Sequence, residues 1–173
     1  YAVDNPMGWA GYGANAWGIS ASDGPADVTL DYTGKARRFF TYAARGASYT
    51  EVRDDGTIAP TAAASSLPFA PEIVLPALVA MREQYGDDLF GQYGFVDAFN
   101  PSFQFTGKNT AGKVVTGKGW FDDDYLGLDQ GPILAMIANY RSDFVWKYMR
   151  KSPYIIRGLR RAGFSGGWLD QAP

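Results

Sequence analysis

The sequence predicts an all-α domain in which short helices are joined by long loops and one small β-hairpin is inserted. Apolar residues recur at helical spacing in several stretches, and the segments between them are rich in Gly, Asn, Asp and Pro. One further stretch has the short β-prone runs of a hairpin. A chain of 173 residues can form one domain with a hydrophobic core, and no linker divides it. We therefore expect residues 1–173 to belong to a single domain.

The clearest predicted helix spans residues 71–85. Pro71 suits its first turn, and five apolar residues fall on one stripe. Pro76 is expected either to bend the helix or to mark a later start. Shorter helices are expected over residues 36–44 and in the Ala-rich run of residues 57–69.

Loops and a hairpin surround this helix. Residues 1–35 combine turn-forming residues with aromatic ones, so they are expected to form a long, ordered loop region. Residues 103–120 are expected to form the hairpin, with its turn at residues 109–112. Helix pairs with aromatic, acid-rich loops at one end are also the pattern of an α/α toroid. Three C-terminal helices are predicted to begin near Gln130, Ser142 and Ser152.

The absence of Cys and His restricts the chemistry of the chain. With neither residue in the sequence, disulfides, thiolate or imidazole metal sites and a Ser-His-Asp triad are excluded. Acid–base chemistry then falls to Asp, Glu, Tyr or Lys, which favours reactions run by paired carboxylates, such as glycoside hydrolysis.

Charge and hydropathy argue against two classes of partner. The net charge of −2 gives no reason to expect nucleic acid, and the C-terminal basic residues are expected to form a solvated face. No apolar run approaches the length of a membrane span, so no membrane insertion is expected.

The acid-rich segment DDDYLGLDQGPILAMIANYR, residues 122–141, is the strongest functional signal. Its carboxylates lie at the entrance of a predicted helix in a chain rich in aromatic residues, which indicates a sugar-binding cleft. The alternative for Asp129 is an N-cap role, in which it accepts backbone N–H bonds. The helix dipole there is expected to keep Asp129 ionised.

Five stretches of the sequence resemble consecutive blocks of one protein family. They read GYGANAWGISASDGP (11–25), DDGTIAPTAAASSLPFAPE (54–72), YGFVDAFNP (93–101), DDDYLGLDQGPILAMIANYRSDFVWKYM (122–149) and KSPYIIRGLRRAGF (151–164). These blocks are similar to the bacterial glycoamylase-like family, which includes endo-β-1,2-glucanases and the similar domain of cyclic β-1,2-glucan synthases. The resemblance implies part of an (α/α)6 toroid with an oligo- or polysaccharide bound at its loop end. It also implies endo-hydrolysis of β-1,2-glucan by a periplasmic or secreted enzyme.

The blocks resemble the C-terminal part of the family domain. The upstream part of the family domain includes a block resembling YDEA, whose Glu is the leading candidate for the catalytic acid, and no such block occurs in this sequence. We therefore expect an N-terminal segment of the same protein to complete the active site.

The carboxylates of this chain that would carry the chemistry come from the family blocks. The expected catalytic residues are Asp129, Asp23, Asp97 and Asp124. Asp23 lies in an Asp-Gly-Pro sequence and is equally typical of a turn. No cofactor is expected, although the run Asp122–Asp124 could bind Ca²⁺; because it lacks the spacing of a calcium loop, no metal site is assigned there.

Aromatic and polar residues of the same loops are the expected sugar-binding groups. Any one of the aromatic residues could instead belong to the core. The substrate-binding candidates are Trp17, Trp120, Asn15, Tyr12, Tyr93, Tyr125, Gln130 and Arg141.

Two other functions stay open at this point. The chain could be a non-catalytic carbohydrate-binding module or a transport-associated glucan-binding protein, in which the cleft is kept without the chemistry. It could also be a structural half-domain that associates with a partner segment and binds nothing alone.

Overall fold

A computed structural model describes residues 1–172 as a mixed α/β structure. Five α-helices are present in these residues: α1 Pro60–Ala64, α2 Pro71–Tyr85, α3 Gly127–Ser142, α4 Phe144–Met149 and α5 Pro153–Arg161. Two 3₁₀ helices cover Gly86–Asp88 and Gly167–Gln171. No helix within residues 1–172 has both the length and the apolar composition needed to cross a membrane.

Eleven short strands form five small antiparallel sheets within the described residues. The first six strands are β1 Ala21–Asp23, β2 Val28–Tyr32, β3 Lys35–Phe39, β4 Tyr42–Ala44, β5 Gly46–Ala47 and β6 Val52–Arg53. The other five are β7 Phe90–Gly91, β8 Gly94–Phe95, β9 Phe99–Asn100, β10 Lys113–Val115 and β11 Gly119–Phe121. The pairs are β1–β4, β2–β3, β5–β6 and β7–β8, and the fifth sheet has the order β10-β11-β9.

These sheets show that the predicted all-α class is wrong for this chain. The predicted helix at residues 36–44 is instead part of β3 and β4. The pair β2–β3 closes through Thr33 and Gly34, which both have positive φ. That backbone is the one a tight hairpin turn requires, and it decides the local structure against a helix.

The helix and hairpin predictions succeed to different degrees. The observed bounds of α2 equal the predicted ones, and Pro76 lies inside the helix. A hairpin is confirmed within residues 103–120, but its turn was wrongly placed, because β10 and β11 are joined by residues 116–118. Helix α3 begins three residues before the predicted start.

The hydrophobic core consists of two neighbouring clusters on the strand-rich side of the molecule. One cluster joins α2 to β9 and β11 and includes Met81, Tyr85, Phe99 and Phe121. The other cluster lies between the N-terminal loop, β3 and β11. Its buried members are Trp9, Ala26, Phe39, Ala98, Phe103 and Trp120. Strands β9 and β11 contribute to this core, so the loops that follow them leave from a well-packed support.

Candidate active site

Five aspartates from four separate segments gather beside this core. Asp23 ends β1, Asp97 lies between β8 and β9, and Asp129 lies in the first turn of α3. The other two, Asp122 and Asp124, follow β11. The five carboxyl groups are neighbours, since the charges of the other members contribute to the raised pKa values of Asp23, Asp122 and Asp129.

Backbone hydrogen bonds set Asp97 opposite the acidic run. Beyond the β9–β11 pair, the Asp122 N–H donates to the Ala98 carbonyl and the Asp97 N–H donates to the Asp124 carbonyl, both at 3.0 Å. The two segments therefore continue side by side after the sheet ends. Because sequential residues of extended backbone point to opposite sides, Asp122 and Asp124 share one side while Asp123 lies on the other.

Asp23 is fixed to the cluster by its own backbone. Its N–H donates to Oδ2 of Asp97 at 2.7 Å. Arg45 holds the strand in place, since its guanidinium donates to the carbonyls of Ser22 at 2.7 Å and Asp23 at 3.2 Å. The same guanidinium forms a buried ion pair with Asp55, with Nε–Oδ1 at 2.7 Å and an Nη2–Oδ2 bond at 2.9 Å.

The start of α3 is tied to the loop that carries Asp97. Gln130 donates from Nε2 to the Phe95 carbonyl at 2.7 Å. Gly94 makes room for this side chain, because a Cβ at Gly94 would lie 2.7 Å from Oε1 of Gln130. The Thr61 hydroxyl of α1 donates to the Asp129 carbonyl at 3.3 Å. Asp129 is thus held from two sides.

Asp129 does not cap its helix. The N-cap residue is Leu126, and no side chain caps the helix. Instead Asp129 is buried, its carboxyl lies next to that of Asp97, and its Oδ2 atom has no hydrogen-bond partner among residues 1–172.

Burial and like charges raise several pKa values in the cluster. Burial raises the pKa of Asp129 to about 7, and the hydrogen bond to Asp97 and the charges of Asp97, Asp23 and Asp122 act in the same direction. Burial also raises the pKa of Asp122 to about 7, with the N–H of Asp123 acting against it. The helix dipole, which was expected to keep Asp129 ionised, is opposed by desolvation and neighbouring carboxylates, and these outweigh a dipole worth about 0.3–1 kcal/mol.

The pKa of Asp23 is raised as well. Burial is the main cause, followed by the charges of Asp97 and Asp124, and the charge of Arg45 opposes them. Carboxyl groups with pKa values near 7, as at Asp122 and Asp129, can give up or take a proton in the pH range where enzymes work.

Two of the expected sugar-binding aromatics, Tyr93 and Tyr125, are exposed and lie within a few residues of Asp97 and Asp124 in the sequence. Tyr125 directly follows Asp124, and Tyr93 is 64% exposed on the turn between β7 and β8. Their rings make an edge-to-face pair with centroids 5.5 Å apart. The Tyr125 hydroxyl occupies the space that a side chain at Gly91 would need, so the hairpin fixes this ring.

Other expected sugar-binding residues have different roles. Trp120 is fully buried and its indole N–H donates to the Ala111 carbonyl at 2.7 Å, so its assignment as a stacking platform was wrong. Gln130 uses its amide N–H in the bond to Phe95. Arg141 lies in the last turn of α3, twelve residues after Asp129 and so about 18 Å away along the helix, too far to orient that carboxylate.

The remaining three candidates lie in the N-terminal loop. Trp17 is partly buried against the core, and Tyr12 donates its hydroxyl to Oδ1 of Asp54 at 2.6 Å. Asn15 is exposed. Tyr12 thus has a structural partner, whereas Asn15 is accessible to a ligand.

Sequence reasoning did not include two important residues, Arg45 and Asp55. Both are buried, and they lie ten residues apart on either side of the β5–β6 hairpin. Nothing in the local sequence marks them as partners. A lone Arg next to a Gly gives no signal that its side chain will support a strand bearing a catalytic candidate.

Carboxyl groups and exposed aromatic rings are both used by proteins that act on sugars. Comparison with known proteins gives the family. The chain belongs to the Glycoamylase family, whose model, described as “Putative glucoamylase”, matches residues 1–153.

Relatives of known structure or function agree with this membership. The exo β-1,2-glucooligosaccharide sophorohydrolase (non-reducing end) of Parabacteroides distasonis is 30% identical over 161 residues, which is 93% of this chain and 18% of that protein. An endo-β-1,2-glucanase from Chitinophaga pinensis, solved with sophorotriose and glucose, is 33% identical with a TM-score of 0.70 over 96% of this chain and 32% of that one.

A third structure, a protein of the same glucoamylase description from Bacteroides uniformis, is 38% identical. Its TM-score is 0.69 over 97% of this chain and 33% of that one. The chain therefore spans a third or less of the length of these relatives.

Proposed function

We propose that this chain forms part of the active site of a glycoside hydrolase that cleaves β-1,2-linked glucan by endo-hydrolysis. The observation that carries the proposal is that the buried carboxyl groups of Asp97 and Asp129 lie next to each other, and that burial and Asp97 raise the pKa of Asp129 to about 7. Relatives that hydrolyse β-1,2-linked glucosides support the choice of substrate.

Asp129 is the proposed proton-transfer group of this chain. It is more accessible than Asp97, which is 1% exposed and already accepts the N–H of Asp23. Asp97 is therefore a positioning residue, whose side chain lies against the carboxyl of Asp129 and holds it in place. A carboxyl group with a pKa near 7 is well suited to accept a proton from water during hydrolysis, so we assign Asp129 the role of general base.

Glycoside hydrolysis also needs a proton donor for the leaving oxygen. We propose that a segment outside this chain supplies it, because the relatives that hydrolyse β-1,2-linked glucosides are about three or more times as long. The Tyr93–Tyr125 pair is the proposed platform for a glucose ring, since flat aromatic faces suit the C–H faces of sugars.

The test is cleavage of β-1,2-linked gluco-oligosaccharides by the full-length protein and its Asp129→Asn variant. Loss of the general base should lower kcat by about 10²–10⁴-fold and leave oligosaccharide binding unchanged. Asp123→Asn is the matched control, because it removes the same charge from an exposed neighbour.

Full activity in Asp129→Asn would remove Asp129 from the mechanism. Oligosaccharide binding by the wild-type protein without any new reducing ends would instead identify a carbohydrate-binding module and overturn the proposed hydrolysis.

A further inference from the structure

Three of the five aspartates bring their carboxylates together in the manner of cation ligands. One carboxylate oxygen from each of Asp23, Asp122 and Asp124 lies within 4.8 Å of the corresponding oxygens of the other two. Calcium binds oxygen ligands at about 2.3–2.6 Å, so two ligands of one ion lie at most about 5 Å apart. The three groups can therefore reach a single ion with little movement.

A second observation points to a missing ligand at the same place. Asp122 is only 3% exposed, and its Oδ2 atom is buried without a hydrogen-bond partner among residues 1–172. Its other oxygen, Oδ1, accepts the N–H of Asp123 at 2.9 Å, which fixes the orientation of the carboxylate. A buried, unpartnered carboxylate oxygen is costly, and a bound cation would remove that cost.

Arg45, the neighbouring cation, does not supply the missing partner of these carboxylates. Arg45 acts on Asp23, but its guanidinium already donates to Asp55 and to the carbonyls of Ser22 and Asp23. It reaches Asp23 only through the backbone. The carboxylates thus keep an excess of negative charge on the side away from Arg45.

The geometry points to a Ca²⁺ site formed by the carboxylates of Asp23, Asp122 and Asp124. Asp124 is exposed and Asp23 is half-buried, so the ion has access from solvent, and water or sugar hydroxyls complete its coordination. Asp123 is not a ligand, so two of the three consecutive aspartates take part in the site. Asp97 and Asp129 stay outside the site and keep their carboxyl pair.

Calcium binding and hydrolysis are separate properties and can be tested separately. The experiment is calorimetric titration of the full-length protein with CaCl₂, paired with thermal unfolding in EDTA and in CaCl₂. Terbium provides an optical probe, because Tyr125 directly follows the ligand Asp124 and can sensitise the luminescence of a bound Tb³⁺ ion.

The wild-type protein should bind one Ca²⁺ with a Kd of about 10⁻⁴–10⁻³ M or tighter, and Tm should rise when EDTA is replaced by CaCl₂. Asp124→Asn should weaken binding at least tenfold, whereas Asp123→Asn, which removes the same charge from the same loop, should bind like the wild type. Asp122→Asn should unfold at the wild-type temperature or above it in EDTA and gain nothing from Ca²⁺, because it removes both the ligand and the unpartnered charge.

Equal Kd values for Asp124→Asn and Asp123→Asn would overturn the site, as would the absence of saturable Ca²⁺ binding at millimolar concentration. Equal affinity for Mg²⁺ and Ca²⁺ would also contradict it, because Mg²⁺ requires ligands at about 2.0–2.1 Å in octahedral geometry.

Discussion

The N-terminal region (residues 1–121) and the C-terminal helices (residues 127–172) bury their apolar side chains to very different degrees. The twelve largest fully buried side chains all lie in the N-terminal region. In the C-terminal helices, by contrast, α4 buries no residue and the buried residues of α3 are Asp129 and Asn139. Large apolar groups of this part stay exposed, among them Leu134 at 71%.

This difference in packing shows which region holds the carboxylate cluster in place. Asp23 and Asp97 leave from packed strands, and Asp122 directly follows the fully buried Phe121. Asp129 belongs to the less packed region but is fixed to the other one through Gln130 and Phe95. We infer that the geometry of the site depends on the packing of the N-terminal region and on the bonds of Gln130 and Thr61 that hold the start of α3.

The largest loss of stability is expected from the buried ion pair. Asp55→Asn leaves the guanidinium of Arg45 buried with half of its partner removed, which should lower the free energy of unfolding by about 3–5 kcal/mol. Asp27→Asn is the matched control, because its pair with Arg38 is about half exposed, and it should change stability by less than about 1 kcal/mol. Urea unfolding measures both, and similar losses in the two variants would contradict this account.

A smaller loss of stability is expected from a comparison of two leucine-to-alanine variants. Leu89→Ala removes a fully buried side chain of the N-terminal region and should cost about 2–5 kcal/mol. Leu134→Ala makes the same chemical change on an exposed face of α3 and should stay within about 0.5 kcal/mol. Urea unfolding of the full-length protein tests the pair; a loss at Leu134 as large as that at Leu89 would show that α3 packs against a surface outside residues 1–172.

The parts of the fold that were predictable from the sequence have strong local signals. Helix α2 has Pro71 in its first turn, a continuous apolar stripe and Gly86 at its C-cap, and its bounds were predicted correctly. Strands of two or three residues, such as β1 or β9, are too short to show a periodicity of two, so the sheets were missed and the class was wrong.

The candidate site also has residues that the sequence predicted and residues that it did not. The family blocks marked Asp23, Asp97, Asp124 and Asp129, and the structure brings all four together. Its buried position and its unpartnered Oδ2 atom decide the part played by Asp122, and neither is visible in a run of three aspartates. Trp120 illustrates the opposite error, since a tryptophan in a Gly-containing loop looks accessible while its strand carries it into the core.

The central claim, that Asp97 and Asp129 form a pair in which Asp97 raises the pKa of Asp129, is tested most directly by a carboxyl ¹³C NMR titration of Asp129 in buffer free of divalent cations. Burial and the Asp97 carboxyl both raise the pKa of Asp129, so the resonance should titrate near pH 7 in the wild-type protein. In Asp97→Asn one raising effect is removed, and the titration should move to lower pH. An Asp129 resonance that titrates near pH 4, or one that stays near pH 7 without the Asp97 carboxyl, would contradict the pair.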